Sequence, residues 1–264
     1  MTGTIDLMNL QDGDVLTTLT EGVLTMTMNR PASLNAVSAD MLTTMEAVVR
    51  EAGSQPDIRV VVLRGAGKGF CSGADLDPDA PPSSGTLDAG AALVAAMRRF
   101  PRPIVSVVHG PCAGIGVSIA LAADLVLASE KAFFLLAFAN IGLMPDGGAT
   151  ALVAASIGRA RAMRMALLGE RVPAAQAMDW GLVTHLCEAE CLEADVDALV
   201  AKLGSGPTLA YGETKVAING VTLGGLDTAL GRERYGQTTL MTTDDFTEGV
   251  TAFRERRDAH FTGR

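Results

Sequence analysis

The stretch of residues 102–129, RPIVSVVHGPCAGIGVSIALAADLVLAS, decides the fold. It contains a short apolar run at 104–108, the turn GPCAGIG, an apolar segment that continues to Ala123, and a second short run at 125–128. Short apolar runs separated by a turn and a helix-length segment are typical of parallel strands joined by crossover helices. Residues 103–123 carry no Asp, Glu, Lys or Arg, but their Pro and Gly residues favour a buried core segment over a membrane helix.

The same alternation extends along the chain on both sides of this stretch. Residues 22–29 alternate between polar and apolar side chains, which predicts a strand with one apolar face. Ser38 suits the N-cap of a following helix, and residues 59–64 form a β-branched run that predicts a strand buried on both faces. Residues 77–90, DPDAPPSSGTLDAG, are predicted to form a loop, and the chain after about residue 148 is predicted to be mostly helical. The order predicts the α/β class with parallel pairing.

Composition excludes several classes of protein. Hydrophobic residues make up 48% of the 264 residues and charged residues 19%, which excludes a disordered chain. The formal net charge of −9 argues against nucleic acid as a partner, because phosphate backbones require clustered Lys and Arg. The four Cys and three His residues show no zinc-binding spacing, so we expect no metal site and reduced thiols in a cytoplasmic protein. The first 14 residues lack a basic region followed by an apolar one, so no signal peptide is expected, and no membrane partner either.

Six segments together resemble the crotonase family, the enoyl-CoA hydratase/isomerase superfamily. They are NRPASLNAVS (29–38), VVVLRGAGKGFCSGADL (60–76), residues 102–129 as quoted above, IGLMPDGGAT (141–150), AQAMDWGLVTHL (175–186) and DFTEGVTAFRERRDAHF (245–261). The resemblance implies a spiral of ββα units over residues 1–200 and a C-terminal helical region, 201–264, that packs between subunits. It also implies a homotrimer or dimer of trimers, an acyl-CoA thioester as ligand, and no permanently bound cofactor beyond the coenzyme A of the substrate.

The resemblance places an oxyanion hole in two glycine-rich turns. Its backbone N–H donors would belong to Ala74, in the turn CSGAD, and to Ile115, in the turn AGIG. Such donors stabilise the negative charge that an acyl thioester gains on its oxygen as it becomes an enolate. A branched residue at 115 requires a turn that an L-residue tolerates.

Two acids expected of a hydratase are missing. Hydration needs one group to activate water and another to handle the proton at C2. The resemblance would place glutamates at positions 118 and 138, but the chain has Ser118 and Phe138. One acid remains, Asp146 in the segment MPDGG, and a single carboxylate is enough to move a double bond from C3 to C2. Asp146 also suits the N-cap of the next helix, which would lower its pKa.

The function is therefore predicted to be isomerisation of a 3-enoyl-CoA to a 2-enoyl-CoA. Hydration that uses Asp146, and acyl-CoA binding without catalysis, are the alternatives. A neighbouring subunit's C-terminal helix is expected to cover the adenine, with Arg256 suited to the phosphates. The coenzyme A site is expected to include the residues Ser33, Leu34, Cys71, Ser72, Gly73, Asp75, Leu76, Phe253 and Arg256.

Overall fold

The main sheet has six strands, and most of its pairs are parallel. The computed structural model describes residues 6–76 and 83–264. The strands, in spatial order, are β1 (Val15–Thr20), β2 (Val23–Met28), β3 (Val60–Gly65), β4 (Ile104–Val108), β6 (Leu125–Ser129) and β9 (His185–Cys187). β1 and β2 form an antiparallel hairpin, and every later neighbour pairs in parallel. Because the strands are parallel, the turns that follow β3 and β4 leave the same edge of the sheet.

A second, smaller sheet lies beside these turns. Its strands are β5 (Pro111–Ala113), β7 (Phe133–Leu135) and β8 (Val172–Pro173). β5 follows β4 at once and pairs in parallel with β7. The glycine-rich segment after β4, which includes β5, therefore connects the two sheets.

Helices surround the sheets and form the C-terminal part of the chain. They are α1 (Ala39–Ser54), α2 (Ser84–Arg99), α3 (Ile115–Leu121), α4 (Ala149–Leu168), α5 (Ala174–Trp180), α6 (Leu192–Ser205), α7 (Thr208–Thr222), α8 (Leu226–Leu240) and α9 (Asp244–Glu255), with 3₁₀ turns at Pro31–Ser33 and Ala137–Ile141. Within the described residues, no helix is both long and apolar enough to cross a membrane.

The strands and the first helix agree with the sequence pattern. The apolar face predicted for residues 22–29 is buried through Leu24, Met26 and Met28. β3 is buried on both faces over its first four residues. Ser38 caps α1, because its hydroxyl accepts a hydrogen bond from the Met41 N–H at 3.2 Å.

The loop predicted for residues 77–90 is wrong over its second half. Residues 84–90 form the start of α2, and residues 77–82 lie outside the described part of the chain. The helix buries Leu87, Leu93 and Val94, and this apolar contact outweighs the low helix propensity of the Ser and Gly residues. Gly90 is needed for close packing, since a Cβ there would lie 2.5 Å from the Ile115 Cδ1 atom.

A buried ion pair ties α7 to the body of the protein. The ammonium of Lys215 donates to the Asp124 carboxylate at 2.8 Å and to the Met97 carbonyl at 3.1 Å. Lys215 is only 8% exposed, so these contacts replace the water that the charge loses on burial.

Candidate active site

A cavity of about 610 Å³ brings together most of the residues singled out in the sequence. The predicted residues on its wall are Ser33, Ser72, Gly73, Ala74, Asp75, Leu76, Ile115, Asp146 and Phe253. Apolar side chains complete the wall, among them Leu87, Leu135, Phe138, Ile141 and Leu143. The cavity is therefore suited to an apolar group held close to a few polar atoms.

The first turn directs the Ala74 N–H away from its neighbouring strand segment. Ala74 forms an isolated parallel bridge with Val37, in which the Val37 N–H donates to the Gly73 carbonyl and the Asp75 N–H donates to the Val37 carbonyl. Since both neighbouring peptide groups bond to Val37, the N–H of Ala74 itself faces the opposite side. It donates to no acceptor in residues 6–76 or 83–264.

The second turn leaves another N–H unused at the start of α3. Ile115 is the first residue of that helix, and the first N–H groups of a helix have no partner within it. Gly114 adopts φ 55° and ψ −131°, which disfavours an L-residue, whereas Ile115 has a helical backbone. The branched side chain at 115 is therefore tolerated because glycine at 114 takes the unusual conformation. No acceptor in the described chain bonds the Ile115 N–H.

The two turns pack directly against each other. A Cβ at position 114 would lie 3.3 Å from the Gly73 Cα, and the Ala113 N–H donates to the Cys71 carbonyl at 2.8 Å. This backbone pairing brings Ala74 and Ile115, the residues with the unused N–H groups, to the wall of one cavity. The arrangement can stabilise an oxygen atom that gains negative charge.

Asp146 is the buried acid of the cavity. Its side chain is 9% exposed, and its Oδ2 atom accepts a hydrogen bond from the Gln237 amide at 2.9 Å. Oδ1 has no hydrogen-bond partner among the described residues. One carboxylate oxygen is thus held while the other is unoccupied. A smaller cavity of about 160 Å³ also has Asp146 in its wall.

Glu233, and not Asp146, caps the N-terminus of α4. Glu233 of α8 accepts hydrogen bonds from the N–H of Gly148 at 2.6 Å and of Thr150 at 2.9 Å. These are N–H groups of the first turn of α4, which Gly148 begins without a side-chain cap of its own. The Asp146 side chain makes no such bond in the described structure, so its ionisation is not favoured by capping.

Burial dominates the acidity of Asp146. Loss of water raises its pKa from the ordinary 3.8 to about 7, the hydrogen bond from Gln237 lowers it, and the negative charge of Glu233 raises it. A carboxyl with a pKa near neutrality exchanges protons efficiently in both directions. Asp146 therefore has the acidity of a general acid-base group.

The second carboxylate on the cavity wall is held by an ion pair. Asp75 contacts the guanidinium of Arg30 at 2.7 Å, and Arg30 also donates to the Ala36 carbonyl at 2.7 Å. Arg30 lies on the cavity wall as well, although sequence reasoning did not single it out. The sequence feature that could have indicated Arg30 is its place in the segment NRP, directly before Pro31.

Comparison with known proteins identifies the family. The family model described as enoyl-CoA hydratase/isomerase matches residues 18–264. The chain belongs to the enoyl-CoA hydratase/isomerase family. It is 37% identical over 258 residues to the 1,2-epoxyphenylacetyl-CoA isomerase of Escherichia coli, covering 95% of this chain and 98% of that one. It is also 37% identical to a probable enoyl-CoA hydratase of Rhodobacter capsulatus, covering 93% and 96%.

A solved structure from the family has the same fold. The crystal structure of an enoyl-CoA hydratase from Mycobacterium avium subsp. paratuberculosis matches with a TM-score of 0.90 and 51% identity, over 95% of this chain and 99% of that one. The fold is therefore the crotonase-like spiral of ββα units with a helical C-terminal region. The family works on coenzyme A thioesters, and its members carry both hydratase and isomerase names.

Neither of the two positions where the family resemblance placed hydratase glutamates carries an acid. Position 138 is apolar, and the side chain at 118 does not line the cavity. Phe138 lies on the cavity wall near Gly114. Ser118 is buried, and its hydroxyl donates to the backbone carbonyl of Asp146 at 2.7 Å. Ser118 therefore holds the chain that carries Asp146 in place.

Three predicted coenzyme A residues lie off the cavity wall. Leu34 takes a left-handed backbone conformation, and its carbonyl accepts from the Ser72 N–H at 2.9 Å. Cys71 is fully buried, and burial raises its pKa to about 12. Arg256 ends α9 in a left-handed conformation. Leu34 and Cys71 support the turns without lining the cavity. Arg256 lies just after the last residue of α9 and does not line it either.

This subunit's own C-terminal helix reaches its own cavity. Phe253 of α9 lies on the cavity wall, and Arg254 donates to the Leu76 carbonyl at 2.8 Å. α9 lies close to the 3₁₀ turn Ala137–Ile141, because a Cβ on Gly249 would lie 2.6 Å from Ile141. Phe253 therefore lines the cavity of its own subunit, and the expectation that a neighbouring subunit's helix covers the adenine stays a prediction. Arg254, which the sequence did not single out, is the α9 cation that touches the cavity rim.

Proposed function

We propose that this protein isomerises a 3-enoyl-CoA to a 2-enoyl-CoA, with Asp146 as the acid-base group. The observation that carries the proposal is that Asp146, whose Oδ1 has no hydrogen-bond partner among the described residues, lines the same cavity as Ala74 and Ile115, whose backbone N–H groups also have none there. The pKa of about 7 for Asp146 supports both halves of a proton transfer.

The reaction would proceed in two proton transfers. The thioester oxygen accepts hydrogen bonds from the N–H groups of Ala74 and Ile115, and Asp146 takes a proton from C2. The electrons of the broken C2–H bond move into the thioester, giving a dienolate with its negative charge on oxygen. Asp146 then returns the proton to C4, and the double bond forms between C2 and C3.

The main energetic requirement of the reaction is stabilisation of the negative charge on the thioester oxygen. One backbone or side-chain donor to an oxyanion is worth about 3–4 kcal/mol in known enzymes, so two such donors supply a large share of the stabilisation a dienolate needs. The acid-base group needs no second carboxylate, because the same oxygen gives back the proton that it took. Phe138 lines the cavity where the resemblance would place a hydratase glutamate, so this position offers no group to activate water.

Coenzyme A would lie along the turns that form the cavity mouth. Ser33, Ser72, Gly73, Asp75, Leu76 and Phe253 line it, and backbone atoms of these turns can bond the pantetheine amides. Arg30 and Arg254 lie at the same region and offer positive charge to the phosphates, which the net charge of −9 makes necessary. No permanently bound cofactor is needed for this chemistry.

The proposal extends to a homotrimer or a dimer of trimers. Residues 201–264 would pack between subunits around the spiral core of residues 1–200. Exposed apolar side chains on α7 support this, since Leu209 is 88% and Val221 is 87% exposed. Apolar surface of this kind is typical of a face that another subunit covers.

The test is the fate of a 3-enoyl-CoA incubated with the pure protein in heavy water. Proton NMR and mass spectrometry should show a double bond at C2, no added water, and deuterium at C2 or C4. Asp146→Asn should lower kcat at least about 10³-fold while binding of a saturated acyl-CoA stays within about threefold. Asp179→Asn, an exposed acid on α5, is the matched control.

Other results select other functions. Addition of water to a 2-enoyl-CoA control, lost in Asp146→Asn, would replace isomerisation by hydration that uses Asp146. Binding of acyl-CoA with no change in either thioester would leave a binding protein without catalysis.

A further inference from the structure

The buried polar residues of α8 have a common target. Glu233 is 1% exposed and Gln237 is 0% exposed, and they lie one helical turn apart on the same face. Both bond to the chain between Met144 and Thr150, which carries Asp146. A buried amide or carboxylate is costly unless its polar atoms are paired, so these contacts fix the segment in one position.

The orientation of the Gln237 amide is decided by its second hydrogen bond. The backbone N–H of Met144 donates to Gln237 Oε1 at 3.2 Å. An N–H needs an acceptor, so the oxygen of the amide must face Met144 and the NH₂ group must face Asp146. α8 comes close enough for this because position 236 is glycine, which leaves room for the Met144 side chain.

We propose that Gln237 is a positioning residue for Asp146, which holds Oδ2 and thereby leaves Oδ1 as the oxygen that carries the proton. The inference rests on the proposed acid-base role of Asp146 and adds which of its oxygens acts. The amide donor favours the ionised carboxylate, whereas burial and Glu233 disfavour it. Gln237 therefore also sets how readily Asp146 gives up its proton.

Two of the other acids near Asp146 are paired with arginine, and Glu233 is bonded to the N–H groups of Gly148 and Thr150. The pairs on the walls of the two cavities are Asp75 with Arg30 on the substrate side, and Asp88 with Arg234 on the far side, where Glu233 also lies. Since Asp75 and Asp88 each have an arginine partner, replacing Gln237 by Met changes the surroundings of Asp146 without creating another unpaired charge.

The experiment measures the ionisation of Asp146 and turnover separately. Infrared difference spectra between the protein and Asp146→Asn isolate the carboxyl band of Asp146, which is titrated with pH. Gln237→Met keeps an unbranched side chain of similar length but removes both hydrogen bonds. Gln237→Glu keeps an acceptor for the Met144 N–H and places a second carboxyl against Asp146. Gln55→Met, at the exposed end of α1, is the control.

We expect Gln237→Met to raise the pKa of Asp146 by about 1–2 pH units, because a hydrogen bond to a charged group is lost. The lower limb of the kcat–pH profile should move by the same amount, and kcat at neutral pH should fall about tenfold or more while KM stays within about threefold. Gln237→Glu should also raise the pKa, through repulsion between the two carboxyls. Gln55→Met should behave as the unmodified protein does.

An unchanged Asp146 titration and an unchanged pH profile in both Gln237 variants, with only a lower Tm, would overturn the proposal in favour of a purely structural role. The Gln237→Glu variant keeps the test decisive where Gln237→Met does not fold. A shifted infrared titration in a protein that does not isomerise a 3-enoyl-CoA would refute the proposed function alone and leave the positioning role standing.

Discussion

Replacing Asp146 by Asn should stabilise the protein at neutral pH while it removes the acid-base group. The folded state holds the carboxyl 9% exposed, with one oxygen unpaired among the described residues. Its pKa is raised from 3.8 to about 7 by burial, so the folded protein keeps the proton over a pH range in which the unfolded chain loses it. Stability therefore decreases as the pH rises from about 4 to about 7, and the loss is constant above that range.

The magnitude follows from the two pKa values. A difference between 3.8 and about 7, at about 1.4 kcal/mol for each pH unit, amounts to about 4 kcal/mol of destabilisation at pH 8. Asn has the same shape, carries no charge at any pH, and offers Gln237 the same acceptor. The free energy of unfolding of the variant should therefore exceed that of the unmodified protein by an amount that grows by about 2–3 kcal/mol between about pH 5 and about pH 8.

The assay is thermal unfolding by circular dichroism at several pH values and at one protein concentration, since assembly would shift Tm. The Tm advantage of Asp146→Asn should increase by about 5–10 °C over this range. Asp179→Asn changes the same chemical group at an exposed position on α5 and is the matched control. Parallel Tm curves for Asp146→Asn and the unmodified protein would refute the reasoning, because they would mean that burial imposes no cost on the charge.

Two further substitutions test the oxyanion turns and the C-terminal anchor. Gly114→Ala places a Cβ 3.3 Å from the Gly73 Cα in a backbone conformation that disfavours alanine, so kcat for isomerisation should fall about 10²–10³-fold with acyl-CoA affinity retained. Gly220→Ala, on α7 with open space around it, is its control, and unchanged kcat in Gly114→Ala would contradict the role of the turn. Lys215→Met leaves the partly buried Asp124 carboxylate without its cation, and unfolding in urea should show a loss of about 3 kcal/mol with kcat unchanged. A loss below about 1 kcal/mol would mean that the ion pair does not anchor α7.

The positions of the two glycine-rich turns could be predicted because they depend on local sequence. The glycines at 73 and 114 mark where the backbone departs from ordinary conformations, and the residues that follow them line the cavity. The strands and α1 could be predicted for the same reason, since apolar periodicity and an N-cap act over a few residues. The loop predicted for residues 84–90 is wrong because their Ser, Gly and Thr residues are typical of a loop. Only the packing of α2 makes them helical.

The arginine side chains near the cavity were predicted less completely than its turns. Arg30 and Arg254 reach the cavity region through side chains whose direction depends on how the 3₁₀ turn and α9 are placed. Arg256 is predicted from the pattern of a C-terminal helix, but a sequence pattern does not fix the last residue of a helix. The helix ends at Glu255, one residue before Arg256. A backbone contact can be inferred from a motif, whereas a long side chain needs the tertiary position of its element.

The sequence by itself determined the α/β class, the family, the two glycine-rich turns and the presence of a single candidate acid, because each of these depends on residue type and short spacing. Only the tertiary structure decided what that acid can do. Gln237 and Glu233 lie 91 and 85 residues away along the chain from the atoms that they contact, Asp146 Oδ2 and the Gly148 N–H. The burial of Asp146, the cap that Glu233 provides and the lack of a partner for Oδ1 among the described residues all arise where α8 packs on that segment. Acidity depends on water and charge within a few ångströms, and that surrounding exists only once distant parts of the chain have folded together.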